Sequence, residues 1–287
     1  MERLSAAVAE ALAQSFGSRP MVSQMDATLS VHTLLSHDHL SYYLFSIRSF
    51  LLASSLRCRI FVYDDGSLNH EDRTILRSII RDVRVVFLDD YEAAVPRRLF
   101  PHARAFMEDH PLGRRLLGVA VMNATPKLVI LDSDVLFFRR PISIVRWAAS
   151  RTNETRFNRD SQRVASVGLS PGQFAGIGGS LIPYFNAGLL CTFADVLNIR
   201  LIETTLRCLR EAGTCSTWIW DQTVWAAMVS RYPHRPLPSV YGFHNLRGRL
   251  RNLRLDRLTS MHFSAPRSHF FSEGVQRLLL DHHYGWT

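Results

Sequence analysis

Residues 128–138 read Leu128-Val129-Ile130-Leu131-Asp132-Ser133-Asp134-Val135-Leu136-Phe137-Phe138. The four leading apolar residues read as a buried parallel strand, with Asp132-Ser133-Asp134 at its carboxyl end. Alternate residues of an extended chain point to opposite sides. A bend at the strand end lets both carboxylates converge. Two hard oxygen ligands suit Mg2+ or Mn2+, and such a metal bridges to phosphate oxygens. Acids at this spacing also occur as solvated or helix-capping groups. The hydrophobic run immediately before them is what favours a site.

Upstream, strands and helices alternate. Leu29 to Leu35 (LSVHTLL) reads as a buried strand, punctuated by His37-Asp38. Leu40, Tyr43, Leu44, Ile47, Phe50 and Leu51 have helical spacing. Arg59 to Tyr63 is a second strand, closed by the turn Asp64-Asp65-Gly66-Ser67. Glu71 to Ile80 reads as a helix and Val83 to Leu88 as a third strand. Arg97 to Asn123 is mostly helical, broken near Pro111 and Gly113. Downstream, Pro141 to Ala149 opens another helix, with proline suited to its first turn. This alternation predicts right-handed βαβ units and an α/β fold with a mainly parallel sheet flanked by helices.

The pattern then changes. Arg151 to Pro183 is polar and Gly-rich and reads as a long loop, a feature usually functional or disordered. Tyr184 to Phe193 reads as a strand, Asp195 to Glu211 and Trp220 to Ser230 as helices, and Ser260 to Phe263 as a last short strand. No internal repeat or linker is evident, so residues 25–287 are expected to form one domain. Residues 1–24 are expected to form an N-terminal helical extension, with Ala6, Val8, Ala11, Leu12 and Phe16 on one face.

The chain has 287 residues, 47% hydrophobic and 21% charged, which excludes global disorder. Its four cysteines form no CxxC pair, which argues against a zinc site and for reduced core thiols. No signal-peptide pattern and no membrane-length apolar run is present, so a soluble cytoplasmic protein is expected. The net charge of +9 is carried almost wholly by arginine, Lys127 being the only lysine. A basic surface favours anionic partners. Arg247 to Arg257 (RGRLRNLRLDR) interleaves arginine with leucine, compatible with peripheral contact to anionic lipid headgroups as well as with a solvated basic face. No nucleic-acid motif accompanies it, so nucleic-acid binding is not expected.

Ligands of open α/β sheets bind outside the carboxyl ends of the strands. The acids at such ends are Asp38, the Asp64-Asp65 pair and Asp132-Ser133-Asp134. Asp64-Asp65 also fits a plain Asx-type turn, and Asp221 a plain helix cap. Trp218, Trp220 and Trp225 fit core packing better than sugar stacking.

The segment LVILDSDVLFF resembles two families. In the haloacid-dehalogenase phosphohydrolases an apolar strand ends in DxD, and Asp132 would be the nucleophile with Asp134 as general acid. In nucleotide-sugar glycosyltransferases of the GT-A fold, a DxD binds the metal. The phosphohydrolases usually carry a downstream lysine and place the motif in their first strand. Here no lysine follows Lys127 and at least three strands come first, as in GT-A enzymes.

The chain further resembles the retaining family 8 glycosyltransferases, the glycogenin and lipopolysaccharide-galactosyltransferase group. Val31 to Leu52 is similar to that family's nucleotide-binding opening, and Arg114-Arg115-Leu116 falls where it carries a Lys-Leu pair. Leu128 to Phe137 resembles its YLDADVL-type strand, and Phe185-Asn186-Ala187-Gly188 its FNSG strand. Asp221-Gln222 resembles its DQ pair, and His262-Phe263-Ser264 its HF-x-G-x-K-P-W ending. That ending departs here to Ala265 and Pro266-Arg267-Ser268.

The resemblance implies a transferase that uses a nucleoside-diphosphate sugar, expected to be UDP-linked. It implies Mn2+ or Mg2+ held by Asp132, Asp134 and His262. Arg267 would stabilise the leaving diphosphate. His37, Asp38, Asp64, Asp65 and Ser133 would lie along the nucleotide, and Arg115 would reach the donor sugar or phosphate. Asn186, Asp221 and Gln222 would line the sugar pocket. The acceptor would be a glycan, lipid, protein or small molecule, attacked with retention and without a dedicated general base. A non-catalytic sugar-nucleotide-binding module on the same fold is the reading from a different functional class.

Overall fold

The computed structural model describes residues 21–92, 94–161, 163, 168–214, 217–243, 255–264 and 268–283. In chain order the strands and α-helices are β1 Met21–Val22, β2 Leu29–Leu35, α1 Leu40–Ser54, β3 Arg59–Asp64, α2 His70–Ile79, β4 Ile80–Arg81, β5 Arg84–Val86, α3 Leu88–Glu92, α4 Pro101–Asp109 and α5 Pro111–Met122. They continue as β6 Lys127–Leu131, β7 Val135–Phe137, α6 Ile142–Ala149, β8 Thr155–Arg159, α7 Pro171–Gly176, β9 Phe185–Phe193, α8 Ile199–Glu211, α9 Thr217–Val229, β10 His234–Pro236, β11 Tyr241–Phe243, β12 Ser260–His262 and α10 Ser268–His283.

The main sheet has seven strands in the order β10-β8-β9-β6-β2-β3-β5. Strands β6, β2, β3 and β5 are parallel, while β9 runs antiparallel to both β6 and β8. The period of two divides each central strand between two cores. Val129 and Leu131 face one core, and Leu128 and Ile130 the other. Ile60 and Val62 oppose Phe61 and Tyr63 in the same way. Helix α1 supplies Tyr43, Leu44, Ile47 and Phe50 to the first core, and α4, α5, α8 and α9 cover the second. Helices on both faces of a mostly parallel sheet are what the alternating pattern predicts.

Local chemistry sets the helix starts. Asn69 and Asp72 form a reciprocal capping box at α2. Both α4 and α5 begin with proline, so the break expected near Pro111 is a boundary between two helices. The N–H groups of His102 and Ala103 at the start of α4 donate to the Glu203 carboxylate on α8, at 3.1 and 2.7 Å.

Two features differ from the sequence reading. The stretch expected as a loop holds β8 and α7. Thr155 and Asn158 of β8 are buried through hydrogen bonds to Thr192 and to the Gly242 carbonyl, so no apolar pattern marks the strand. Met21–Val22 pairs with Ile80–Arg81, while residues 1–20 of the expected helical extension lie outside the described residues. So does the basic stretch up to Arg254; Leu255–Arg257 is a short 3-10 turn. Among the described residues, no helix is long and apolar enough to cross a membrane.

A second, three-stranded sheet in the order β11-β12-β7 positions the site. Strand β7 leaves directly from the acidic turn after β6. It pairs antiparallel with β12, which sets Val135 opposite His262. The Phe263 N–H donates to the Asp134 carbonyl at 3.0 Å and continues the clasp.

Candidate metal and sugar-nucleotide site

The turn after β6 is held in place from two sides. The Asp132 N–H donates to the Gly188 carbonyl at 2.8 Å, and the Ser46 hydroxyl donates to the Asp132 carbonyl at 3.2 Å. With the backbone fixed, both carboxylates turn toward His262. Its Nε2 lies 3.2 Å from Asp134 Oδ1 and 3.6 Å from Asp132 Oδ2. One ligand atom from each of the three residues lies within 4.8 Å of the others, the one such His/Cys/Asp/Glu group among the described residues.

The His262 side chain is 5% exposed, those of Asp134 and Asp132 19% and 31%, so the cluster opens to solvent on its carboxylate side. Burial lowers the pKa of His262, but the charge and hydrogen bond of Asp134, joined by Asp132, hold it above its ordinary value. Two carboxylates and an imidazole on an open face are a donor set suited to Mn2+ and, less closely, to Mg2+.

Gly188 makes room for this arrangement. A Cβ there would lie 2.2 Å from His262 Cε1 and 2.7 Å from Asp132 Oδ2. Phe243 packs edge-on against the imidazole, with ring centroids 5.2 Å apart.

Behind Asp132 lies a buried ion-pair chain. The Arg115 guanidinium donates to Asp132 Oδ1 through Nη1 and to Asp221 Oδ2 through Nη2, the latter at 2.9 Å. Burial opposes the charge on Arg115, and the two carboxylates restore it, raising its pKa above the ordinary value. Burial pushes Asp221 up to about 6, although Arg115 pulls it down. Arg115, expected at the donor sugar or phosphate, is thus committed to these carboxylates.

Asn186 and Gln222 complete the inner wall. Asn186 Oδ1 lies 3.2 Å from His262 Nδ1 and accepts from the Gly188 N–H at 3.0 Å. Gln222 Oε1 accepts from the Ala187 N–H at 3.3 Å and from Asn186 Nδ2 at 3.4 Å.

The remaining expected residues form a rim at the ends of β2 and β3. Asp64 Oδ1 accepts from the N–H groups of Gly66 and Leu68, and Asp65 Oδ1 from the N–H and hydroxyl of Ser67. Both acids thus build the turn. Gly66 takes a φ of 99°, a conformation glycine supplies without strain. His37 Nδ1 is 2.8 Å from Asp72 Oδ2, whose hydrogen bond and charge raise the histidine's pKa. Asp38 is exposed in the adjoining 3-10 turn.

Ser133 Oγ is 3.2 Å from His39 Nδ1. Sequence reasoning passed over His39; its signal is the His37-Asp38-His39 run just before α1. Arg267 lies outside the described residues.

The sheet order, the acidic turn after the fourth main-sheet strand in sequence and the clasp behind it define the GT-A fold of nucleotide-sugar glycosyltransferases. Solved glycosyltransferases share it across most of the chain. An active-site Gln-to-Glu mutant of LgtC matches with a TM-score of 0.53 at 16% identity, over 86% of this chain and 95% of LgtC. The galactosyltransferase LgtC in complex with donor and acceptor sugar analogs matches with a TM-score of 0.52 at 16% identity, over 88% and 95%. The bifunctional glycosyltransferase WbbM matches at 0.53 and 14% identity over 88% of this chain, which spans 50% of WbbM. No protein-family model and no curated protein matches the sequence.

Proposed function

We propose that this protein is a metal-dependent glycosyltransferase. It takes a sugar from a nucleoside-diphosphate donor, UDP-linked, and passes it with retention to a glycan, lipid, protein or small-molecule acceptor. The observation that carries this reading is the β7–β12 pairing, which returns His262 to the two aspartates at the open end of a GT-A sheet. LgtC, with the same fold, is described with donor and acceptor sugar analogs bound.

Asp132, Asp134 and His262 hold Mn2+ or Mg2+. When bound, the metal supplies Lewis-acid stabilisation of the departing diphosphate. Arg115 neutralises the inner oxygen of Asp132 and leaves the other toward the cluster. Asp221 holds Arg115 in turn. Gln222, Asp221 and Asn186 form the floor under the sugar. His37, Asp38, Asp64, Asp65 and Ser133 follow the nucleotide along the ends of β2, β3 and β6. Arg267 adds positive charge at the phosphates, as its place after His262 implies.

Thermal unfolding with UDP, with and without Mn2+, tests the reading. Ligand at 100 times its Kd adds about 2.7 kcal/mol of stability. That gain is expected only when Mn2+ and UDP are both present, and Asp134→Ala is expected to remove it while leaving the fold intact. Slow hydrolysis of a UDP-sugar is expected in addition; binding without it favours the non-catalytic module. No response to UDP, together with turnover of a simple phosphate ester, refutes the transferase in favour of the phosphohydrolase.

A further inference from the structure

We infer that Asn186 and Gln222 are positioning residues that fix which ring nitrogen of His262 carries its proton, and so aim the Nε2 lone pair at the space between Asp132 and Asp134. The inference rests on the metal reading of the cluster and assigns the two amides a role beyond lining a sugar pocket.

Every orientation in the chain is pinned by a backbone group that has a single hydrogen-bonding role. The Gly188 N–H can only donate, and it meets Asn186 Oδ1 at 3.0 Å. The Asn186 atom facing His262 is therefore the oxygen, which can only accept. It lies 3.2 Å from His262 Nδ1, so Nδ1 is the donor and holds the proton. With Nδ1 holding its own proton, the proton that the Asp134 carboxylate draws onto Nε2 is the one a cation displaces, which frees the Nε2 lone pair. Nε2 is the nitrogen 3.2 Å from Asp134 Oδ1 and 3.6 Å from Asp132 Oδ2.

Gln222 locks the alternative out. Its Oε1 is fixed by the Ala187 N–H at 3.3 Å and faces Asn186 Nδ2 at 3.4 Å. Turning the Asn186 amide over would set its NH2 against the Gly188 N–H and its oxygen against Gln222 Oε1. Asn186 and Gln222 are each 6% exposed and His262 4%, so little water is at hand to relieve either clash. Outer partners of this kind set the tautomer and ring orientation of ligand histidines, and their loss typically weakens metal binding 10- to 100-fold.

Two measurements test the inference. Imidazole 15N NMR of the protein loaded with diamagnetic Mg2+ is expected to show His262 protonated at Nδ1. The resonance is assigned by its loss in His262→Ala. Mn2+ binding, followed by the electron paramagnetic resonance of the free ion, is expected to weaken roughly 10- to 100-fold in Asn186→Leu. Asn186→Asp keeps an acceptor for both N–H groups and is expected to hold Mn2+ far better than Asn186→Leu.

A wild-type His262 ring whose Nδ1 carries no proton in the Mg2+-loaded protein overturns the inference, whether or not the variants fold. So does unchanged Mn2+ affinity in Asn186→Leu when His262→Ala weakens it. Unchanged Mn2+ affinity in His262→Ala overturns instead the metal reading underneath.

Discussion

Gly188→Ala disturbs the site without changing any group assigned to it. The new methyl would sit 2.2 Å from His262 Cε1, against an ordinary contact of at least 3.4 Å. The imidazole or the strand must yield by the difference, 3.4 − 2.2 = 1.2 Å. The His262 Nδ1 and Asp132 Oδ2 contacts, at 2.6 and 2.7 Å, close the two nearest escapes. Overpacking of this size costs about 1–3 kcal/mol of stability. Replacing glycine within a strand returns part of that cost, because the unfolded chain loses freedom. The protein is therefore expected to stay folded.

Catalysis is expected to suffer far more. A shift of about 1 Å at a reacting site costs on the order of 100-fold in rate. The assay pairs UDP-sugar turnover and Mn2+-dependent thermal stabilisation with urea unfolding. Loss of turnover and of the Mn2+ response, with the fold retained, is the expected result. A Gly188→Ala protein with wild-type Mn2+ dependence refutes the idea that this glycine holds the space in which the ligands converge.

Burial lowers the pKa of His32 to about 3, and its ring is held by Ser30 at 2.7 Å and Tyr63 at 3.0 Å. Its folded pKa lies below its unfolded one, so its contribution is present above about pH 6.5 and lost as pH falls. About 2 kcal/mol should disappear between pH 7 and 5 in urea unfolding; an equal loss in His32→Gln would refute this. Arg115→Ala strands a buried Asp221 and should cost about 3–5 kcal/mol in the same assay, a loss below about 1 kcal/mol counting against the ion-pair chain. Glu203→Ala frees two N–H groups at the start of α4 and should lower stability by about 1–2 kcal/mol; an unchanged melting temperature would show that water replaces the carboxylate.

Much of the architecture was legible because burial on both faces leaves an apolar signature. Strands β2, β3 and β6 carry it, and the acids after β6 mark the place where it stops. Strand β8 carries none, since Thr155 and Asn158 are buried by hydrogen bonding. The antiparallel course of β9 was equally hidden, because periodicity does not distinguish one strand direction from the other. Within the site, the convergence of Asp132, Asp134 and His262 was legible through a resemblance spread over distant segments. The commitment of Arg115 to two carboxylates was not, nor was the contact of His39 with Ser133. Both depend on which side chains the sheet ends bring face to face, and no local pattern records that.

The β7–β12 clasp has a consequence for the birth of the protein. Asp132 and His262 are 262 − 132 = 130 residues apart. At synthesis rates of 5–20 residues per second, roughly 6 to 26 s separate the appearance of the first aspartate from that of the histidine. During that interval the emerging chain holds Asp132 and Asp134 without the imidazole that meets them in the folded protein. The three-residue cluster is therefore completed only after β12, the last strand in sequence, has emerged to pair with β7.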